Sequence, residues 1–169
     1  RAELLRLAAE ASAPRGFELL AEWGLEELRE GGAELAAAVI ELLGNEPWQG
    51  EASPPEVVLA AALGPAGGEV DLANANPERP SEAVESAGRH NPVELVVARA
   101  LGATWLDDYV KTWRAVSLEI NGADLLAAGI PEGPAMGRAL EAVLRGKLDG
   151  ETSGRDAELA AAIEAARSS

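Results

Sequence analysis

Three features of the sequence predict an all-α fold, an irregular bundle of about eight to ten short helices. Apolar residues recur at helical spacing in one stretch after another, and proline and glycine punctuate these stretches where helices begin and end. A long alternating run rich in β-branched residues is missing; residues 116–120 come nearest, and that segment is short.

The elements follow in chain order. Leu4, Leu5 and Leu7 with Ala8 and Ala11 make the first apolar stripe. Pro14 is placed to open a second helix, which carries Phe17, Leu20 and Ala21 and stops near Gly24. Leu35, Val39, Leu42 and Leu43 form a third, closed by Gly44. Ser53-Pro54-Pro55-Glu56 has the pattern of a capping box with proline at the first helical position, and its helix runs to Gly64. Asn91-Pro92-Val93-Glu94 repeats that pattern, and Ser153-Gly154-Arg155-Asp156 repeats it before the last helix. Residues 45–53 and 64–81 read as loops from their Gly, Asn and Pro content. The second loop suggests an acidic helical unit over 1–75 and a helical tail unit over 76–169, unless the helices continue across it as one domain.

Apolar residues make up 47% of the 169, an ordinary globular share, although much of it is alanine that buries little area per residue. With no cysteine there is neither a disulfide framework nor a thiolate metal site, which fits a cytoplasmic protein. No run of about 18 apolar residues is present, so no membrane span is expected, and a monomer is favoured. Arg1-Ala2-Glu3-Leu4 reads as the interior of a helix, which suggests a piece of a longer protein. The net charge of −15 argues against generic nucleic-acid binding, since phosphate contacts need Lys and Arg. Its distribution is uneven. Residues 99–155 hold seven basic and eight acidic side chains, which leaves −14 for the remainder. A polyanion would be steered to the near-neutral segment.

Candidate chemistry is sparse. His90 is the only histidine, so Ser-His and Cys-His pairs and multi-histidine metal sites are excluded; next to a helix cap, it is expected to be an exposed loop residue. Asp107 and Asp108 are adjacent, and on a helix such neighbours point about 100° apart, which suits a solvated first turn better than one metal. Gly64-Pro65-Ala66-Gly67-Gly68 lacks the Lys-Ser/Thr and the preceding strand of a phosphate-binding loop and reads as a turn. No catalytic residues and no metal ligands emerge. Trp105, Tyr109 and Trp113 continue one stripe beside Lys111 and Arg114. Such a stripe either stacks bases or forms a packed helix seam, and small-residue helices favour the seam. Trp23 and Trp48 flank loop entries and are expected to cover the core locally.

The informative stretch is residues 120–150, which reads as helix, tight turn, helix. Leu125 and Leu126 sit on a short helix stopped by Gly129, and Pro134 starts the next, with Gly137 one turn in. A glycine-lined helix N-terminus offers free amides and a positive dipole end to phosphate. Arg138, Arg145 and Lys147 extend that positive surface. The same glycines equally suit a plain αα-hairpin in which they only permit close packing.

Residues 125–140, Leu-Leu-Ala-Ala-Gly-Ile-Pro-Glu-Gly-Pro-Ala-Met-Gly-Arg-Ala-Leu, with Lys147-Leu148-Asp149-Gly150 following, resemble the C-terminal region of bacterial CCA-adding enzymes, of the tRNA nucleotidyltransferase and poly(A) polymerase family. The segments Trp105-Leu106-Asp107-Asp108-Tyr109 and Trp113-Arg114 look like versions from high-GC bacteria, and residues 6–25 resemble the entry of the family's helical body. These stretches cover about half the chain. The resemblance implies a body and tail that grip the acceptor arm and elbow of tRNA while a preceding head adds nucleotides. It would assign RNA contacts to Gly133, Pro134, Gly137, Arg138, Arg145 and Lys147, with Lys111 and Arg114 beside them. The glycine-serine and Asp-x-Asp motifs of the head are not in this sequence, so no catalysis is expected here, and Mg2+, CTP and ATP are expected only in the head. The alternative is an acidic, all-helical structural or protein-interaction module that docks a basic partner without RNA.

Overall fold

The computed structural model describes residues 2–64 and 67–168, and every regular element among them is helical. Eleven α-helices run in order: α1 (Ala2–Ala8), α2 (Ala13–Glu22), α3 (Gly32–Leu43), α4 (Pro54–Leu63), α5 (Gly68–Asn74), α6 (Pro80–Ala87), α7 (Pro92–Ala100), α8 (Leu106–Lys111), α9 (Gly122–Ala127), α10 (Pro134–Leu148) and α11 (Arg155–Arg167). A 3-10 turn, Trp113–Ala115, follows α8. The all-α expectation holds.

Proline sets three of the starts. Pro54, Pro92 and Pro134 each occupy the first helical position, where a missing N–H costs nothing because that donor has no intrahelical acceptor. The capping boxes divide. At α7 the Asn91 side chain accepts from the Glu94 N–H (3.1 Å) while the Glu94 carboxylate accepts from the Asn91 N–H (3.0 Å). At α4 the Ser53 side chain makes no cap bond. Pro55 has removed one amide it would accept from, and the Glu56 N–H bonds the Ser53 carbonyl instead (3.1 Å). Before α11 the flanking residue is Gly154 rather than Ser153, so the third expected box is also not formed.

Residues 64–81 are not simply a loop, since they contain α5 and the start of α6. Leu72 is buried, and the Glu69 carboxylate accepts from the Gly67 N–H (3.2 Å) and from Arg29 (3.0 Å), a partner forty residues away. That long-range pair fixes a helix which local composition conceals. Pro65 and Ala66 of the expected turn lie outside the described residues.

The chain forms two compact units. Unit 1 comprises Arg1–Asn76 and Ser86–Val110; unit 2 comprises Pro77–Glu85 and Lys111–Ser169. Residues 86–110, expected within the tail unit, pack in unit 1: Leu95, Val96, Ala98 and Leu106 join Phe17, Val39, Trp48 and Val57 in its core. Small residues bring α3 and α4 close, and a Cβ on Gly32 would lie 2.4 Å from the Ala62 carbonyl oxygen. Trp48 is fully buried, and its indole N–H donates to Asp107 (2.7 Å), which also receives the Arg99 Nε and Nη2 (both 2.9 Å). Asp107 is therefore a core-edge acceptor, while Asp108 is exposed as expected.

Two more expectations are corrected in unit 1. Trp23 is 67% exposed and covers nothing, because six helical steps from the buried Phe17 turn it about 120° away from the buried face of α2. His90 is half-buried, with Nδ1 3.2 Å from the Glu94 carboxylate and its ring against Gly68. The tryptophan stripe is also interrupted. Trp105 and Tyr109 pack on the core of unit 1, whereas α8 stops at Lys111 and Trp113 lies in the 3-10 turn of unit 2.

In unit 2, Ile120, Leu125, Ile130, Met136, Val143 and Ala162 make a small apolar core. Polar ties supplement it. Glu158 on α11 is fully buried and accepts from Lys147 Nζ (2.6 Å) and from the Glu119 N–H (2.7 Å). Asp149 accepts from both the N–H and the hydroxyl of Ser81 (3.0 and 2.8 Å).

Candidate nucleic-acid interface

The hairpin between α9 and α10 is specified from both ends. Asn121 and Asp124 form a capping box at the start of α9. Its end carries a Schellman motif: Gly129 takes φ 85°, its N–H bonds the Leu126 carbonyl (2.9 Å), and the Ile130 N–H reaches back to Leu125 (3.0 Å). Leu125 and Ile130 are both buried, so the turn is clamped to the core of unit 2. Extended backbone at Gly133 then leads into Pro134.

Helix α10 presents two faces. Met136, Ala139 and Val143 point into the core, while Gly137, Arg138, Glu141 and Arg145 are exposed. No side chain caps the helix start at Gly133. Gly133 and Gly137 each have nothing within 4 Å of where a Cβ would stand. The close-packing explanation for glycine therefore applies to neither, although it does apply to Gly122, whose Cβ would meet the Met136 sulfur at 3.2 Å. An uncapped helix start remains with the positive end of its dipole; Pro134 has no N–H, and the Met136 N–H bonds the Gly133 carbonyl (3.1 Å).

The basic side chains expected to extend this surface have different fates. Arg138 is exposed and forms no ion pair with the described residues. Arg145 is exposed on nearly the same face, seven residues on, and its guanidinium contacts Glu85 at 3.0 Å. Lys147 is turned inward, with its side chain only 20% exposed and its ammonium between Glu158 (2.6 Å) and Glu119 (3.5 Å). The hydrogen bond to Glu158 outweighs desolvation and raises the Lys147 pKa, so this ammonium is a tie within unit 2. Lys111 is exposed at the end of α8; Arg114 lies in the 3-10 turn. The structure therefore groups Gly133, Pro134, Gly137, Arg138 and Arg145 on α10 and sets Lys147 apart.

Glu85 and Glu158 were not legible as parts of this site, because each meets its cation through tertiary packing. Arg79, Ser81, Glu85, Arg145, Asp149 and Glu151 line a polar cleft of about 510 Å³ in unit 2. Burial pushes the Asp149 carboxyl up, but the Ser81 N–H and hydroxyl and the Arg79 guanidinium outweigh it and hold the pKa below its ordinary value. Carboxylates outnumber guanidiniums in this cleft, which opposes a phosphate there. Among the described residues no three His, Asp or Glu side chains converge as a metal site would require, and no helix is long and apolar enough to cross a membrane. No family model, curated protein or solved structure matches the chain.

Proposed function

We propose that this chain is a tRNA-holding, non-catalytic body and tail of a CCA-adding nucleotidyltransferase, with 3′-end addition performed by a separate head. The observation that carries the reading is the exposed, uncapped start of α10, where Gly137 has no neighbour within 4 Å of a Cβ position. The positive dipole end there suits a phosphate, and Arg138 adds a charge without an ion-pair partner among the described residues. The resemblance of residues 125–140 to the family's tail centres on the same turn. Acceptor arm or elbow is the part of tRNA expected, and binding is weak and steep in salt because few cations take part.

The test is tRNA binding at low salt by the chain and by an Arg138→Ala, Arg145→Ala double variant. The reading expects roughly tenfold weaker binding and a salt slope reduced by about one per lost phosphate contact. Unchanged affinity and slope would make the hairpin merely structural. Incubated alone with CTP, ATP, Mg2+ and a tRNA lacking its 3′ end, the chain is expected to add no nucleotide. Incorporation above a buffer control would overturn the non-catalytic part.

A further inference from the structure

Helix α2 and α9 end in the same backbone motif and put it to opposite use. At the end of α2, Gly24 takes φ 68°, its N–H bonds the Ala21 carbonyl (2.9 Å), and the Leu25 N–H bonds the Leu20 carbonyl (2.9 Å). These are the two bonds of a Schellman motif, which ordinarily brings an apolar contact with it. At α9 that contact is made, with Ile130 7% exposed; at α2 Leu25 is 65% exposed and Trp23 beside it 67%. Their exposure is not fraying, because the backbone under both is hydrogen-bonded: the Trp23 N–H donates to Leu19 (3.0 Å). Two large apolar side chains are thus held out on a fixed turn, beside a shallow depression of about 560 Å³ lined by Ala21, Gly24, Leu25, Glu26, Glu27 and Leu28. Preorganised aromatic anchors of this kind are what binding surfaces concentrate their affinity on.

The surroundings define the occupant's charge. Glu26, Glu27 and Glu30 follow the turn and make no ion pair among the described residues. The two nearby arginines are engaged: Arg15 with Glu18 and Glu22, and Arg29, nearly buried, with Glu69. No basic residue stands in the last turn of α2, so its negative dipole end is uncompensated. An exposed indole face adds a third attraction for a cation. We infer that the Trp23–Leu25 turn docks a basic amphipathic segment of a partner protein, with a Lys or Arg over the indole and an apolar side chain against Leu25. This inference does not rest on the RNA reading, which concerns unit 2.

The experiment uses the full chain and two synthetic helical peptides, one of Lys and Leu and its counterpart with Glu in place of Lys. Binding is followed by calorimetry and by the Trp23 indole N–H resonance. The Lys peptide is expected to bind and to shift that resonance while leaving the buried Trp48 signal in place, and the Glu peptide is expected to do neither. In a Trp23→Ala, Leu25→Ser variant, whose fold is checked by its circular dichroism melt, affinity should fall at least about tenfold. In a Glu26→Gln, Glu27→Gln variant it should fall about threefold with a shallower salt dependence. Equal binding by the Trp23→Ala, Leu25→Ser variant would reduce the effect to diffuse attraction by an acidic chain and overturn the inference. So would failure of the Lys peptide to bind, or a shift in which Trp23 takes no part.

Discussion

The two units belong to one structural class and are stabilised differently. Unit 1 holds six basic and seventeen acidic residues, yet its interior is built from Phe17, Trp48, Val57, Leu72 and Val96, with one buried carboxylate, Glu69, paired to Arg29. Unit 2 holds eight basic and twelve acidic residues, with a smaller apolar core and a carboxylate, Glu158, in full burial. Helical pattern alone thus says little about what holds a helix in place. Where apolar area is short, hydrogen-bonded charge substitutes, and that makes part of the stability depend on protonation.

The largest expected effect lies in unit 1. Phe17→Ala removes a fully buried ring and should cost about 3–5 kcal/mol. Amide exchange in α3 and α4 reads the loss, which should change little with salt or between pH 5 and 8. A cost below about 1 kcal/mol would mean that the small-residue packing collapses onto the hole, and the contrast between units would weaken.

Next comes Glu158→Gln, expected to cost unit 2 about 1.5–3 kcal/mol through loss of charge-assisted hydrogen bonds. Its pH dependence is the sharper signature. Burial alone would raise the Glu158 carboxyl, but the Lys147 ammonium and the backbone amides of Glu119 and Ile120 win, and the pKa lies below its ordinary 4.5. A depressed native value gives stability that is complete above the unfolded pKa and is lost as pH falls through the native one. Asp149 acts in the same direction. Exchange protection in α10 and α11 should therefore decline on acidification below about pH 4.5, and decline less in the Gln variant. A native protein whose protection in unit 2 is flat to pH 3 would contradict this.

The smallest effect concerns Arg145. Its pair with Glu85 is exposed on both sides, so the tie is weak. Under the RNA reading, Glu85→Gln should release the guanidinium and tighten tRNA binding about two- to fivefold at low salt. Weaker binding would show that Glu85 positions Arg145 rather than competes for it.

Much of the architecture was legible because it is local. Pro54, Pro92 and Pro134 mark helix starts by a property of their own backbone, and Gly24 and Gly129 mark ends for the same kind of reason. The α10 surface was legible in part: Gly137 and Arg138 are exposed, as a helical reading of the hairpin requires. Lys147 was not, since its inward turn depends on Glu158, eleven residues on and on the next helix. Helix α5 was hidden by its glycine and asparagine flanks, and Asp107 by a partner fifty-nine residues away in Trp48. In each case the deciding contact is tertiary: Lys147 and Glu158 lie on separate helices, and the partners of Glu69 and Asp107 stand forty and fifty-nine residues away.

The four indoles have a practical consequence. Trp23 stands in water, Trp48 is buried with its N–H bonded to a carboxylate, and Trp105 has a buried Nε1 with no hydrogen-bond partner among the described residues. Trp113 is half-buried, and it alone belongs to unit 2. The protein therefore contains its own spectroscopic labels. Steady-state emission is a sum over three environments in unit 1 and one in unit 2, so one fluorescence melt mixes reporters of unlike sensitivity. Trp23 adds a solvent-like, readily quenched background that unfolding hardly moves. Replacing Trp23 with Phe would remove that background, and replacing Trp113 as well would leave an emission that follows unit 1 alone.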